Sequence, residues 1–197
     1  MLTTPQNKTS GYVRDGLDWY VEPSWCVDVL LDALALPAGT TVLDPACGMG
    51  TIPEACNARG ICAVGSDIAD RGYGFTGRDF LARDVPLFPD AIITNPPYGK
   101  ASEFVREARW LANKLVAVLI RLDFLASKTR HILFRATPPA RVLVLSKRPS
   151  MPPGQALIDG TAKRGGGQHD FCWIVWDRER SGPTEIEWLL PDDGGAA

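Results

Sequence analysis

Short apolar runs recur along the chain, and each one stops at glycine, proline, asparagine or aspartate. Thr41-Val42-Leu43, Ile61 to Gly65, Ala91 to Thr94, Leu115 to Ile120, Arg141 to Leu145 and Phe171 to Trp176 are short, β-branched and aromatic-rich, which predicts strands. Between them the spacing changes. Ile52 to Arg59 reads as a short helix, Phe104, Ala108 and Leu111 fall on one face of a second, and Phe124 to Phe134 reads as a third. A further helix is expected after Trp19-Tyr20-Val21-Glu22-Pro23. Strands alternating with helices predict βαβ units and an α/β fold with a mostly parallel sheet. The unbroken apolar run Leu115 to Ile120 fits a strand buried on both faces. Such sheets bind ligands beyond the carboxyl ends of their strands.

A chain of 197 residues suits one domain. We expect it over 1–190, with an N-terminal arm at 1–17, a Pro/Gly-rich loop insertion at 149–170 and a fraying tail at 191–197. Hydrophobic residues make up 45% and charged residues 22%, which excludes wholesale disorder. A formal net charge of −2 excludes a uniformly basic nucleic-acid coat but not a local basic face. No apolar run reaches the ~18–20 residues of a membrane span. The first residues, Met1 to Lys8, lack the apolar stretch of a signal peptide, so a cytoplasmic protein is expected. Five cysteines without a CxxC pair, and only His131 and His169, point to reduced thiols and to no metal site.

The candidate chemistry sits at strand ends. Asp44-Pro45-Ala46-Cys47-Gly48-Met49-Gly50 joins a strand to a helix through a Gly-x-Gly turn, where glycine lets backbone approach a ligand closely. A helix N-terminus there would favour an anion. Asp44 instead places an acid at the strand end, which repels phosphate and suits a cationic group such as the ammonium of a methionine moiety. Asp67 closes the second strand, where a carboxylate can hold both hydroxyls of a ribose.

The second loop is Asn95-Pro96-Pro97-Tyr98. Prolines fix φ and donate no hydrogen bond, so the strand end is rigid and rich in acceptors. Asn95 adds a side-chain carbonyl, and Tyr98 a flat face on which a base can stack. A planar amine has its lone pair delocalised into the ring. Two acceptors drawing on its hydrogens favour a pyramidal nitrogen aimed at an electrophile. Because both side chains follow a buried strand, they are expected to project into the cleft and to add little to the core.

These motifs resemble those of class I S-adenosylmethionine-dependent amino-methyltransferases, and in their order they resemble the N-6 adenine DNA methyltransferases. Asp67 to Gly74, Asp79-Phe80-Leu81 and Phe171 to Trp176 are also similar to small methyltransferases of phages and prophages. The resemblance spans roughly residues 18 to 178. It implies a Rossmann-like fold with a seven-stranded, mostly parallel sheet covered by helices on both faces. S-adenosylmethionine is the implied cofactor, with Asp44, Pro45, Ala46, Cys47, Gly48 and Gly50 at its methionine half. Asp67 and Ile68 would sit at the ribose, Asp79 and Phe80 at the adenine, and Tyr20 and Pro23 in an upstream segment that closes over it. Asn95, Pro96, Pro97 and Tyr98 would hold the target amine, with Asn95 also bordering the cofactor.

Two departures stand out. Ala46 occupies a position where many relatives have glycine, and the chain leaves no room for the separate target-recognition domain of site-specific DNA methyltransferases. Specificity would then come from a partner subunit or a homodimer. From Arg121 to Arg164 nine Lys/Arg face two Asp/Glu, against 12 basic and 21 acidic residues elsewhere. That asymmetry marks a candidate nucleic-acid face, with Arg121, Lys163 and Arg164 as its contacts and DNA favoured over RNA. The rivals are an RNA methyltransferase acting on a guanine or adenine amino group, a protein-glutamine methyltransferase, and a module that binds the cofactor without turnover.

Overall fold

The computed structural model describes residues 18–85, 88–162 and 165–191. Seven strands form one sheet: β1 (Thr41–Asp44), β2 (Cys62–Gly65), β3 (Ala91–Thr94), β4 (Leu115–Arg121), β5 (Arg141–Leu145), β6 (Phe171–Asp177) and β7 (Glu185–Leu189), in the order β2-β1-β3-β4-β6-β5-β7. Only β6 runs antiparallel to its neighbours. The chain leaves β1 to form β2 on one side, then returns to form β3 on the other. Strand order therefore reverses at β1, and a crevice opens beyond the carboxyl ends of β1 and β3.

Side chains alternate across the sheet, as strand geometry requires. Val42, Ile93, Ala117, Leu119, Leu143 and Trp173 face the helix α1 (Ser24–Leu34) and the helix α2 (Thr51–Ala58). Leu43, Ile92, Val116, Val118 and Ile174 face the helix α3 (Ala101–Leu111) through Phe104, Val105, Ala108 and Leu111. Each buried Leu, Ile or Val is worth ~1.5–3 kcal/mol of apolar transfer. Trp173 is fully buried, and its indole N–H donates to the Cys26 carbonyl at 2.8 Å, which fastens α1 to the central antiparallel strand.

Three elements depart from the sequence expectation. The predicted helix Phe124 to Phe134 is instead a 3₁₀ turn, Leu122–Leu125, followed by α4 (Lys128–Ala136). The Arg130 guanidinium takes the carbonyls of Phe124 (2.6 Å) and Asp123 (3.1 Å), so the turn ends there, and Ser127 is extended. The 149–170 loop contains a short helix, α5 (Gly154–Ile158). Finally, β7 was not expected as a strand, although Glu185 to Leu189 alternates polar and apolar residues; its Ile186 and Trp188 face solvent while Glu187 forms a two-pronged ion pair with Arg141 (2.9 and 2.7 Å).

Candidate active site

The loop after β1 turns twice through left-handed backbone, at Gly48 (φ +51°) and Gly50 (φ +89°). A Cβ at Gly48 would lie 2.6 Å from the Trp19 indole nitrogen, and one at Gly50 would lie 2.4 Å from the Tyr73 ring. Both glycines are therefore required by packing as well as by conformation. Ala46, by contrast, fits: its methyl packs against the α3 side of the core. This loop forms one wall of a cavity of about 620 Å³, well inside the ~300–1,000 Å³ of small-molecule sites.

Around that cavity the buried charges are acids. Asp67 lines it, with its two carboxylate oxygens accepting from the backbone N–H groups of Gly48 (3.1 Å) and Ala69 (2.9 Å). A carboxylate has lone pairs to spare after two such bonds. Glu22 also lines it, and Asp44 sits fully buried just behind its wall. Burial first, and the Glu22 charge second, hold the Asp44 carboxyl well above the ordinary carboxylate range. Burial and the same acids push the Cys47 thiol upward, which makes it a poor nucleophile. Arg71 and Arg78 also line it, Arg71 with its guanidinium 4.0 Å from the Trp19 ring centroid and Arg78 paired to Asp84 at 2.7 Å.

The other wall is the loop after β3 together with an upstream strap, residues 18–22. Asp18 accepts from the Gly99 N–H at 3.0 Å. Trp19 and Val21 are tied to the 149–170 loop, through Gly154 N–H to the Trp19 carbonyl (3.1 Å) and Val21 N–H to the Pro152 carbonyl (3.0 Å). The Asn95 amide donates to the Tyr20 carbonyl and to a Glu22 carboxylate oxygen, both at 2.9 Å. Its own oxygen is buried with no partner among the described residues, as is the hydroxyl of Tyr98. Buried polar atoms are rarely left unpaired, so the Asn95 oxygen on the cavity wall points to a ligand.

Tyr98 is placed differently from the expectation. It lies off the cavity wall and packs against the core, with Tyr20 stacked on its ring (5.5 Å, 8° between planes) and Phe171 tilted against it (6.0 Å). The expectation that it adds little to the core is therefore corrected: the strap covers the ring. Burial, then the Glu22 charge, raises its hydroxyl above the ordinary phenol range.

Of the residues predicted from sequence, Tyr20, Pro45, Ala46, Cys47, Gly48, Asp67, Ile68, Asp79, Phe80, Asn95 and Pro97 line the one cavity. Asp44, Gly50, Pro23, Pro96 and Tyr98 do not line it. Asp79 caps the 3₁₀ turn Phe80–Ala82, and Phe80 packs on Phe104 at 5.0 Å. Arg121 ends β4 in an ion pair with Asp123 (2.5 Å), while Arg141 and Arg148 of the basic segment are likewise paired, to Glu187 and Asp170. Lys163 and Arg164, with residues 1–17 and 192–197, lie outside the described residues. Asp18, Glu22 and Arg71 were not assigned from sequence, since an isolated charge beside an aromatic carries no pattern. Among the described residues there is no cluster of three metal-ligating side chains and no helix long and apolar enough to cross a membrane.

No family model matches the chain, and no curated protein sequence matches it. Its fold does match solved structures. The methyltransferase subunit of a type I restriction-modification system from Streptococcus thermophilus superposes with a TM-score of 0.60 at 12% identity, over 90% of this chain and 48% of that one. A candidate RNA methyltransferase from Pyrococcus horikoshii gives 0.61 at 14% identity over 86% and 93%. A candidate class I S-adenosylmethionine-dependent methyltransferase from Listeria monocytogenes gives 0.56 at 13% identity over 85% and 63%. The chain spans about half the length of the restriction-modification subunit. What these likenesses share with it is the α/β methyltransferase fold, built around a seven-stranded, mostly parallel sheet.

Proposed function

We propose that this chain is a methyltransferase that moves a methyl group from S-adenosylmethionine to an exocyclic amino group, and that its acceptor is adenine in DNA. The observation that carries the reading is the Asn95 amide: its N–H groups are committed to Tyr20 and Glu22, and its buried oxygen is left as an acceptor on the wall of an acid-lined cavity. A planar amine is a donor that such an oxygen can hold, and the Pro96 carbonyl is the natural second acceptor.

The donor set fits the cofactor. Asp67 would hold the ribose hydroxyls, Asp79 and Phe80 the adenine, and the Pro45–Gly48 stretch the methionine end, with Asp44 behind it. Carboxylates that repel one another when the site holds no cation welcome a ligand that brings an ammonium and a sulfonium. The cofactor supplies a methyl on a sulfonium sulfur, which departs as a neutral thioether. Asn95 orients the amine so that its lone pair faces that methyl, and preorganised acceptors of this kind act where positive charge develops on nitrogen. The site needs no strong base before attack.

DNA is favoured because one structural neighbour is a restriction-modification methyltransferase subunit, and the positive balance from Arg121 to Arg164 suits phosphate. Sequence recognition is assigned to a partner subunit or a second copy. The experiment is nucleoside mass spectrometry on DNA and RNA from expressing cells, with peptide mass spectrometry on their protein. N6-methyldeoxyadenosine above the level in control cells supports the reading. A methylated guanosine or adenosine in RNA alone moves the acceptor to RNA, and methylglutamine in protein moves it off nucleic acid.

A further inference from the structure

We infer that Glu22 is a positioning residue for this reaction: it holds the Asn95 amide with its oxygen toward the acceptor amine. The inference rests on the amino-methylation reading and concerns a residue outside the Asn-Pro-Pro-Tyr loop. A side-chain amide has two orientations of nearly equal shape, which exchange its oxygen and its NH2. Only the chemistry of the surroundings chooses between them. Here the two neighbours within bonding distance of Nδ2, the Tyr20 carbonyl and the Glu22 carboxylate, are both acceptors at 2.9 Å. Both amide hydrogens are thereby used, and the oxygen is left buried without a partner among the described residues. In the opposite orientation the oxygen would face two acceptors, and the NH2 would meet the substrate amine donor to donor.

The Tyr20 carbonyl is backbone and present whatever the side chain; Glu22 is the part of the lock that its own residue type supplies. A hydrogen bond from the amide to a carboxylate also draws electron density toward the amide oxygen, which strengthens it as an acceptor. Glu22 is a poor choice on stability grounds alone. It is 6% exposed, and it sits near a second buried carboxylate, that of Asp44. Two buried acids repel each other and lose hydration.

The test is a double-mutant cycle of Glu22→Gln and Glu22→Ala with Asn95→Ala, measured by single-turnover methyl transfer at saturating cofactor. Gln is isosteric and can turn either its oxygen or its NH2 to Asn95, so it keeps the test alive if the alanine variant folds poorly. Glu22→Ala should lower the transfer rate on the order of 10-fold, the weight of one hydrogen bond to a charged group, and Glu22→Gln, which can keep an uncharged acceptor on Asn95, should lower it by less. Cofactor affinity is measured separately by calorimetry, because Glu22 is one of the acids lining the cavity, and the rate loss should persist once the cofactor is saturating. In the Asn95→Ala background the Glu22 change should have no further effect. Equal losses in both backgrounds, or a loss confined to cofactor affinity, overturn the inference. A readout independent of turnover is the pair of Asn95 side-chain amide protons in 15N-labelled protein, assigned by their absence in Asn95→Ala. Both should be protected from solvent exchange in the wild type, and one should lose protection in Glu22→Ala. Unchanged exchange overturns the positioning even if activity falls. A wild-type rate in Asn95→Ala itself instead sinks the amino-methylation reading and leaves the exchange result to judge Glu22.

Discussion

Tyr98 carries a hydroxyl buried with no partner among the described residues, on a ring held between Tyr20 and Phe171. The two halves of the side chain therefore pull in opposite directions. Tyr98→Phe removes an unsatisfied polar group and should raise the unfolding free energy of the cofactor-free protein by up to about 1 kcal/mol. Tyr98→Ala empties an aromatic site and should lower it by about 3 kcal/mol. Chemical denaturation of both variants checks this pair of signs; equal destabilisation would mean the hydroxyl is satisfied. At this scale the sequence was legible in residue type but not in partners. That Asn95 offers an acceptor followed from its side chain. That Glu22 and Tyr20, some 73 and 75 residues earlier, take its two hydrogens depended on how the strap folds back.

The strap and the 149–170 loop act as one element. Tyr20 forms an antiparallel bridge with Pro153, and Gly154 lies flat under the Trp19 indole, where a Cβ would come within 2.2 Å of the ring. Gly154→Ala should force Trp19 off Gly48, at ~1–3 kcal/mol of stability, and should weaken cofactor binding several-fold although residue 154 does not line the cavity. Thermal melts with and without cofactor test this. An alanine variant with wild-type melting and affinity would show that the strap is not wedged by Trp19. Strands such as β3 and β4 were legible because apolar residues buried on both faces leave an unbroken run. The edge strand β7 was missed because its alternation is short and places its apolar residues Ile186 and Trp188 on the solvent face, with Glu187 paired to Arg141. The start of α4 was hidden for another reason: the Arg130 guanidinium, rather than local propensity, ends the preceding turn.

Across the whole molecule, reversal of strand order at β1 brings the Asp44 and Asn95 loops together, and the acids gathered there cost stability. The Asp44 carboxyl holds its proton more tightly folded than unfolded. The folded state therefore binds more protons, and stability falls as pH rises from the unfolded value near 3.9 through the raised one. Asp44→Asn should flatten that slope in pH-dependent melts, stabilise the cofactor-free protein at neutral pH, and weaken cofactor binding at least tenfold. An unchanged pH slope would put the strain elsewhere. The α/β class and both loops were legible because short motifs occupy strand ends. The basic face was less so, because counting charges along the chain cannot show that Arg121, Arg141 and Arg148 are already paired with acids. The central claim is that Asn95 holds an amine for methylation. Single-turnover transfer from methyl-labelled S-adenosylmethionine to DNA, with the product nucleoside identified, tests it most directly. The account expects label on the adenine amino group with the wild type and a rate reduced on the order of 100-fold in Asn95→Ala, with cofactor affinity retained. Label transferred at the wild-type rate by Asn95→Ala, or to no amino group at all, would contradict it.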